Sequence, residues 1–324
     1  MRFSALFLLL FLAFSHGYFG NENESLAVFG GASNLQSPRT VAFEGAGSAL
    51  LSQDFGAALM NPALLSGEGF GAGAVWQSGD LANRQGVLAF SHNFFIGRMQ
   101  HTYGVEDNGE VWNRDEHGEP TGKASYPIAQ YYAITAAFPL KLFRFGITAR
   151  YLWEQLAGLP DSQTGMGLAM DWGFFWNAGN RHGFALIGRY FGRQVRPFVK
   201  GGINGFALAS EFAASTFWRS SQNVTWLFEL AVPRYAPIAG KLGLEYRLSE
   251  PILLRAGLQR NLIDVARYAR YAFSSGEETP IAGYYRFFSL GAGYKVWNIA
   301  LDYSFSLLIE GSGSEHRIGL SGNF

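Results

Sequence analysis

From about Gly69 onward the chain repeats one pattern. Large apolar residues alternate with small or charged ones over runs of about 8–12 residues, separated by polar or glycine-rich turns. Phe145, Ile147, Ala149 and Tyr151 alternate with Arg144, Gly146, Thr148 and Arg150. Met170, Trp172, Phe174 and Trp176 alternate with Asp171, Gly173 and Phe175, and Phe184, Leu186 and Tyr190 are assigned to the face opposite Arg189. Around Ser249–Pro251, Leu242, Leu244, Tyr246, Ile252, Leu254 and Leu258 share one face, and Glu245, Arg247 and Arg255 the other. Later runs behave alike: Phe288–Lys295 and Ile299–Ser306 each set bulky residues against Gly, Ser, Asp or Lys. A period of two is that of a strand. One face is bulky, apolar and ends in Tyr or Trp; the other holds Gly, Ser, Thr and isolated charges. A soluble sandwich shows water a face richer in Lys and Glu. A membrane barrel inverts this, apolar outside and polar inside, with aromatic girdles at the interfaces.

A helical membrane span is excluded beyond Phe14. The longest apolar runs, such as Tyr131–Leu140, hold about ten residues where a span needs about 20. Strands in lipid must pair every backbone group, which only a closed barrel does. Composition agrees: charged residues are 15% of the chain, against roughly 25% in a soluble domain. The formal net charge is zero, so there is no electrostatic footprint for nucleic acid. The absence of cysteine excludes disulfides, thiolate metal sites and a cysteine nucleophile.

The expected fold is therefore all-β: a transmembrane antiparallel β-barrel of about 14 strands (12–14), at roughly 18–20 residues per strand and connection. Ser249–Pro251 reads as a short periplasmic turn. Asp107–Ser125, Arg193–Gly205, Ala213–Gln222 and Asp264–Ile281 read as outside loops. Residues 1–17 read as an export signal, with Arg2, the apolar run Ala5–Phe14, and small Ser15 and Gly17 before the cut. The barrel is assigned to 67–324 and a plug to 18–66. The plug lacks the alternation, carries the polar step Ser52-Gln53-Asp54, and reaches Asn61-Pro62, which stops a helix.

A charge facing lipid at midplane costs roughly 2–4 kcal/mol. Arg144, Arg150, Asp171, Arg189, Glu229, Glu245, Arg247, Arg255, Lys295 and Asp302 are therefore expected to face the lumen. There they form a structural network or line a substrate path. Glu245 and Arg255 lie about equally far from the 249–251 turn and are expected to pair across it. The six histidines show no metal-ligand spacing, and no G-x-S-x-G elbow is present. The acidic stretch Asp107–Glu119 reads as a solvated hairpin tip. Neither an enzyme nor a cofactor is expected.

Arg39-Thr-Val-Ala-Phe-Glu-Gly-Ala-Gly-Ser-Ala-Leu50, followed by Asp54 and Asn61-Pro-Ala-Leu-Leu65, resembles the N-terminal signature of the PorV/PorQ family, barrels of the FadL-like superfamily. Leu242-Gly-Leu-Glu-Tyr-Arg247, Leu254-Arg-Ala-Gly257, Ser289-Leu-Gly-Ala-Gly-Tyr294 and His316-Arg-Ile-Gly-Leu320 extend the resemblance, which is closest to PorQ. Phe43-Glu44 departs from it, standing where a small residue or Met and a glycine are usual. The resemblance implies a bacterial outer-membrane barrel that serves type IX protein secretion or attachment of cargo at the cell surface. Its partners would be outer-membrane lipid, secretion-system proteins and sorting-domain cargo, with Asn61, Pro62 and Ala63 as the plug motif. Phe324, on a strand with Ile318, Leu320 and Gly322, would be the signal read by the barrel assembly machinery. The alternatives are a FadL-like channel for hydrophobic small molecules, and a soluble β-protein without transport. The channel requires a continuous apolar path from the outer loops to a gap in the wall near the plug.

Overall fold

The computed structural model describes residues 29, 36–52, 54–79, 84–114, 117, 119–156, 163–202, 205–262, 286–308 and 313–324. The expected export signal lies outside them. The strands are β1 (Gly71–Gly79), β2 (Arg84–Phe94), β3 (Gly97–Asp107), β4 (Val111–Arg114), β5 (Pro120–Ser125), β6 (Ile128–Pro139), β7 (Phe143–Gln155) and β8 (Gly165–Asn177). They continue with β9 (His182–Arg196), β10 (Glu211–Arg219), β11 (Val224–Pro233), β12 (Ala239–Arg247), β13 (Ile252–Asn261), β14 (Arg286–Val296), β15 (Ile299–Leu308) and β16 (Ser314–Asn323). All but β4 and β5 close one antiparallel barrel of fourteen strands in the order β1-β16-β15-β14-β13-β12-β11-β10-β9-β8-β7-β6-β3-β2. The first and last strands meet from Gly71↔Asn323 to Gly79↔Glu315, so no sheet edge is left open. β4 and β5 pair as a separate hairpin in the connection between β3 and β6.

Phe70 and Phe324 exchange backbone hydrogen bonds at the end of the barrel that carries the short turns, such as 95–96, 140–142 and 297–298. Longer connections, such as the one that carries the β4–β5 hairpin, lie at the other end, and the expected outside loop Asp264–Ile281 lies outside the described residues. Barrels of this kind put short turns toward the periplasm and long loops outside. Apolar side chains cover the outer wall, and the inner face mixes polar side chains with apolar ones such as Phe175, Ile187 and Leu227. Trp76, Leu88, Ile147, Leu168, Met170, Leu254, Leu290, Leu301 and Ile318 are exposed on the outer wall, while Gln77, Thr148, Arg150, Asp171, Ser289, Ser304 and Arg317 are buried inside.

Two sequence expectations are corrected. Ala213–Gln222 is not an outside loop: it lies on β10 and its short turn at the terminal end. Its small residues look inward and make room for the plug, as shown by Ser215, whose hydroxyl donates to the Ala46 carbonyl at 3.3 Å. Tyr190 does not share the outer face of Phe184. The β8–β9 register shifts between Met170 and Trp172, and Tyr190 adopts φ 56°. This bulge turns its ring inward, 4.8 Å from the Arg150 guanidinium, and leaves Phe191 to pack with Phe212 at 4.7 Å.

The core is the plug inside the barrel. It contains α1 (Pro38–Ala42), a 3₁₀ turn (Ala46–Ala49), α2 (Phe55–Met60) and a second 3₁₀ turn (Pro62–Leu64). Each piece is started locally. Ser37 accepts from Thr40 N (3.3 Å) ahead of Pro38, Asp54 accepts from Gly56 N (3.0 Å), and Asn61 accepts from Ala63 N (3.0 Å) ahead of Pro62. Val41, Phe43, Ala46, Ala49, Ala63 and Leu64 are fully buried against the wall. Each large apolar side chain so buried stabilises by about 1.5–3 kcal/mol. Glu44 sits at φ 51°, a left-handed conformation that favours glycine, and its carboxylate accepts from the Ser289 hydroxyl.

Candidate functional site: the plug and its lumen wall

Asn61, Pro62 and Ala63 dock on β7 and β8 at two glycines. A Cβ at Gly146 would overlap the backbone of Pro62 and Ala63, and one at Gly173 would overlap the Asn61 side chain. Glycine is required there by close approach of two backbones. The Asn61 amide also donates to the Ser48 carbonyl at 2.8 Å, tying the two 3₁₀ turns together.

Wall arginines hold this segment by its carbonyl oxygens. Arg144 donates to Ala63 O (2.9 Å) and Leu65 O (2.6 Å), Arg150 to Leu59 O (3.3 Å), and Arg189 to Met60 O (2.8 Å). The Leu59 and Met60 carbonyls belong to the last turn of α2, where a helix leaves acceptors unpaired and carries partial negative charge. Two guanidiniums thus take the place of a helix cap.

The same arginines are neutralised by wall carboxylates. Arg150 meets Asp171 at 2.5 Å, with both side chains almost fully buried, and lies between the Tyr131 and Tyr190 rings at 5.6 and 4.8 Å. Asp171 also accepts from Tyr190 N at 2.8 Å, replacing a ladder bond lost at the bulge. Arg189 bonds Glu211 and Ser48 Oγ, lies 3.3 Å from Glu229, and shares that carboxylate with Lys241 at 3.0 Å. Farther round, Glu245 and Arg255 stand in register and meet at 3.0 Å; Arg255 also bonds Asp302, and Arg39 of α1 reaches Glu245 at 3.5 Å. Lys241, Glu211 and Ser48 were not singled out from the sequence, and Arg39 and Glu44 were noted only within the family motif. For the wall residues, inward parity on their strands is the signal that finds them. For the plug residues no periodic signal exists. The same parity carries Arg98, which donates to Gly69 O (3.2 Å), Gln100 to Phe55 O (3.2 Å) and Arg317 to Gln36 O (3.2 Å).

A second structural feature runs above the plug. Leu208 and Phe198 of the 197–210 loop, Phe29, and the inward Val75, Val87, Tyr131 and Leu152 pack into one apolar cluster with Phe55 and Leu59 of α2. This column reaches from the long-loop end to the plug, beside the β8–β9 bulge. Among the described residues no group of acids and histidines is placed to hold a metal ion.

Fold and site together define a plugged transmembrane β-barrel. No family model and no curated protein sequence matches the chain. Among solved structures it is similar to the toluene transporter TodX of Pseudomonas putida, at 12% identity and TM-score 0.60, covering 90% of this chain and 99% of that one. It is similar to the CymD monoaromatic hydrocarbon channel at 12% identity and TM-score 0.58, covering 89% and 97%. A Pseudomonas aeruginosa FadL homologue aligns at 10% identity and TM-score 0.46, over 88% and 97%. At such identities the likeness is one of fold. That fold, a closed antiparallel barrel, is the one shared with TodX and CymD. The comparisons do not reach the PorV/PorQ family or type IX secretion.

Proposed function

We propose that the protein passes small hydrophobic molecules across the outer membrane. The observation that carries this reading is the apolar column. It begins at Leu208 and Phe198 under the long-loop end and ends at Phe55 and Leu59 of the plug, next to the bulge between β8 and β9. The column is filled by its own side chains, so an apolar solute would pass by displacing them; it offers such a solute an environment out of water, and the bulge is a point where the wall ladder is already broken. The lumen charges do not interrupt the path, because Arg150 and Arg189 are occupied by carboxylates and plug carbonyls. The hydrocarbon transport named for TodX and CymD favours the same reading as an analogy of fold.

The test is uptake of toluene and of a polar solute of similar size by proteoliposomes holding the full chain. Selective toluene entry that falls severalfold in Leu208→Asp supports the channel. Equal entry of both solutes, or none above empty vesicles, refutes it. A second reading, an accessory barrel of type IX secretion, is favoured by the Arg39–Leu65 resemblance and by a plug that fills the lumen. Its test is co-purification of sorting-domain cargo from outer membranes.

A further inference from the structure

Deep in the lumen, inward cations are matched by carboxylates: Arg150 by Asp171, Arg189 and Lys241 by Glu229, and Arg255 by Asp302. The mouth at the short-turn end is built differently. Arg144 spends its donors on the Ala63 and Leu65 carbonyls, and Arg219 donates to Asn180 O at 3.0 Å. Among the described residues no carboxylate comes within ion-pairing distance of Arg144, Arg181 or Arg219. Arg247 faces Glu250 at 4.0 Å, with both side chains largely in solvent. The other acids nearby are already engaged. Asp54 caps α2 and accepts from Ser37 Oγ at 2.9 Å, while Glu245 and Asp302 hold Arg39 and Arg255.

These guanidiniums line two adjoining cavities inside the mouth. One of about 410 Å3 lies between Arg181, Arg219 and Arg247, which are exposed at the rim. The other, of about 480 Å3, shares Arg219 and Arg247, adds Arg144, and ends on Leu51, Ser52 and Ser66 of the plug. Arg219 N donates to Arg181 O at 2.9 Å, so two like charges stand side by side, an arrangement disfavoured unless something between them is negative. Guanidinium forks match carboxylate oxygens in pairs. The reach of the set decides which anion fits. Arg144 is on β7 and Arg247 on β12, five strand spacings apart in the barrel order. At about 4.8 Å per spacing the arc is about 24 Å long. A phosphate or a single carboxylate touches only part of it. An extended chain, advancing about 3.3 Å per residue, covers it with about seven residues. Such a chain reaches the mouth from water, because the short turns of these barrels face the periplasm.

We infer that the short-turn mouth docks an acidic, extended segment of a periplasmic protein, with its carboxylates on Arg144, Arg181, Arg219 and Arg247 and its inner end against the plug. The test is fluorescence anisotropy of a labelled octapeptide of alternating glutamate and serine, titrated with the full chain in a zwitterionic detergent. Binding is expected, and it should weaken as salt rises. Arg219→Gln/Arg247→Gln is expected to weaken it about tenfold, equivalent to about 1.4 kcal/mol, within what two exposed ion pairs contribute. Lys123→Gln, in the hairpin at the opposite end of the barrel, is expected to leave binding unchanged. Retained heat-modifiable migration on gels establishes that each variant is folded. No binding, equal binding by the double variant, equal loss in Lys123→Gln, or equal binding of the same peptide with glutamine for glutamate would overturn the site. Inorganic phosphate or a soluble anionic phospholipid competing as well as the unlabelled peptide would overturn its assignment to an acidic chain.

Discussion

Replacing Arg150 by Met isolates what the wall contributes to holding the plug. Met fills a similar apolar volume but removes the ion pair with Asp171 at 2.5 Å, the bond to Leu59 O at 3.3 Å, and the cation between the Tyr131 and Tyr190 rings. Asp171 keeps one donor, Tyr190 N at 2.8 Å, and is left as a fully buried charge. Breaking a buried pair from one side costs about 3–5 kcal/mol, mainly because the remaining charge is stranded. Asn at 171 keeps the carbonyl oxygen for Tyr190 N and carries no charge. Arg150→Met/Asp171→Asn should therefore be the more stable of the two variants. Its remaining loss is about 1.5–3 kcal/mol for the charged hydrogen bond to the plug. Equilibrium urea unfolding in lipid bilayers, followed by tryptophan fluorescence, measures both variants. The reasoning fails if Arg150→Met lies within about 1 kcal/mol of the parent, below the range for a broken buried pair. It also fails if the double variant is the less stable.

Gly146→Ala places a methyl group on the Pro62–Ala63 backbone. Overpacking of this kind costs about 1–3 kcal/mol, and displacement of the plug turn should raise single-channel conductance in planar bilayers; unchanged conductance and stability would count against tight docking. Deleting Phe324 removes its two backbone bonds to Phe70, at 2.9 and 2.7 Å, and the proposed assembly signal. The expected result is a lower yield of heat-modifiable barrel in outer-membrane fractions, and an undiminished yield would show that the residue is dispensable.

The barrel was legible because lipid imposes a period-two code over most of the chain, and each strand repeats it. Glu245 and Arg255 could be paired from their distances to a turn alone. Tyr190 was misread because a bulge adds one residue that parity counting does not see. Ala213–Gln222 was misread because the inward Ala213 and Ser215 are small for the sake of the plug, and smallness in sequence also marks loops. The plug itself has no period. Its two helices are one or two turns long and are set by the Ser37, Asp54 and Asn61 caps and by the wall around them. Glu44 is the sharpest case: the glycine usual at its place in the resembling family hints at a left-handed turn, but its partner Ser289 lies across the barrel and has no signal in the local sequence.

Arg144, Arg150 and Arg189 grip main-chain oxygens of residues 59–65, and those oxygens are the same whatever side chains the segment carries. The two sides of the contact therefore answer to different rules. The wall must keep its guanidiniums, while the gripped segment is free to change identity wherever volume and backbone path are preserved. A lineage that altered the shape of its pore would find latitude in the insert and rigidity in the cylinder.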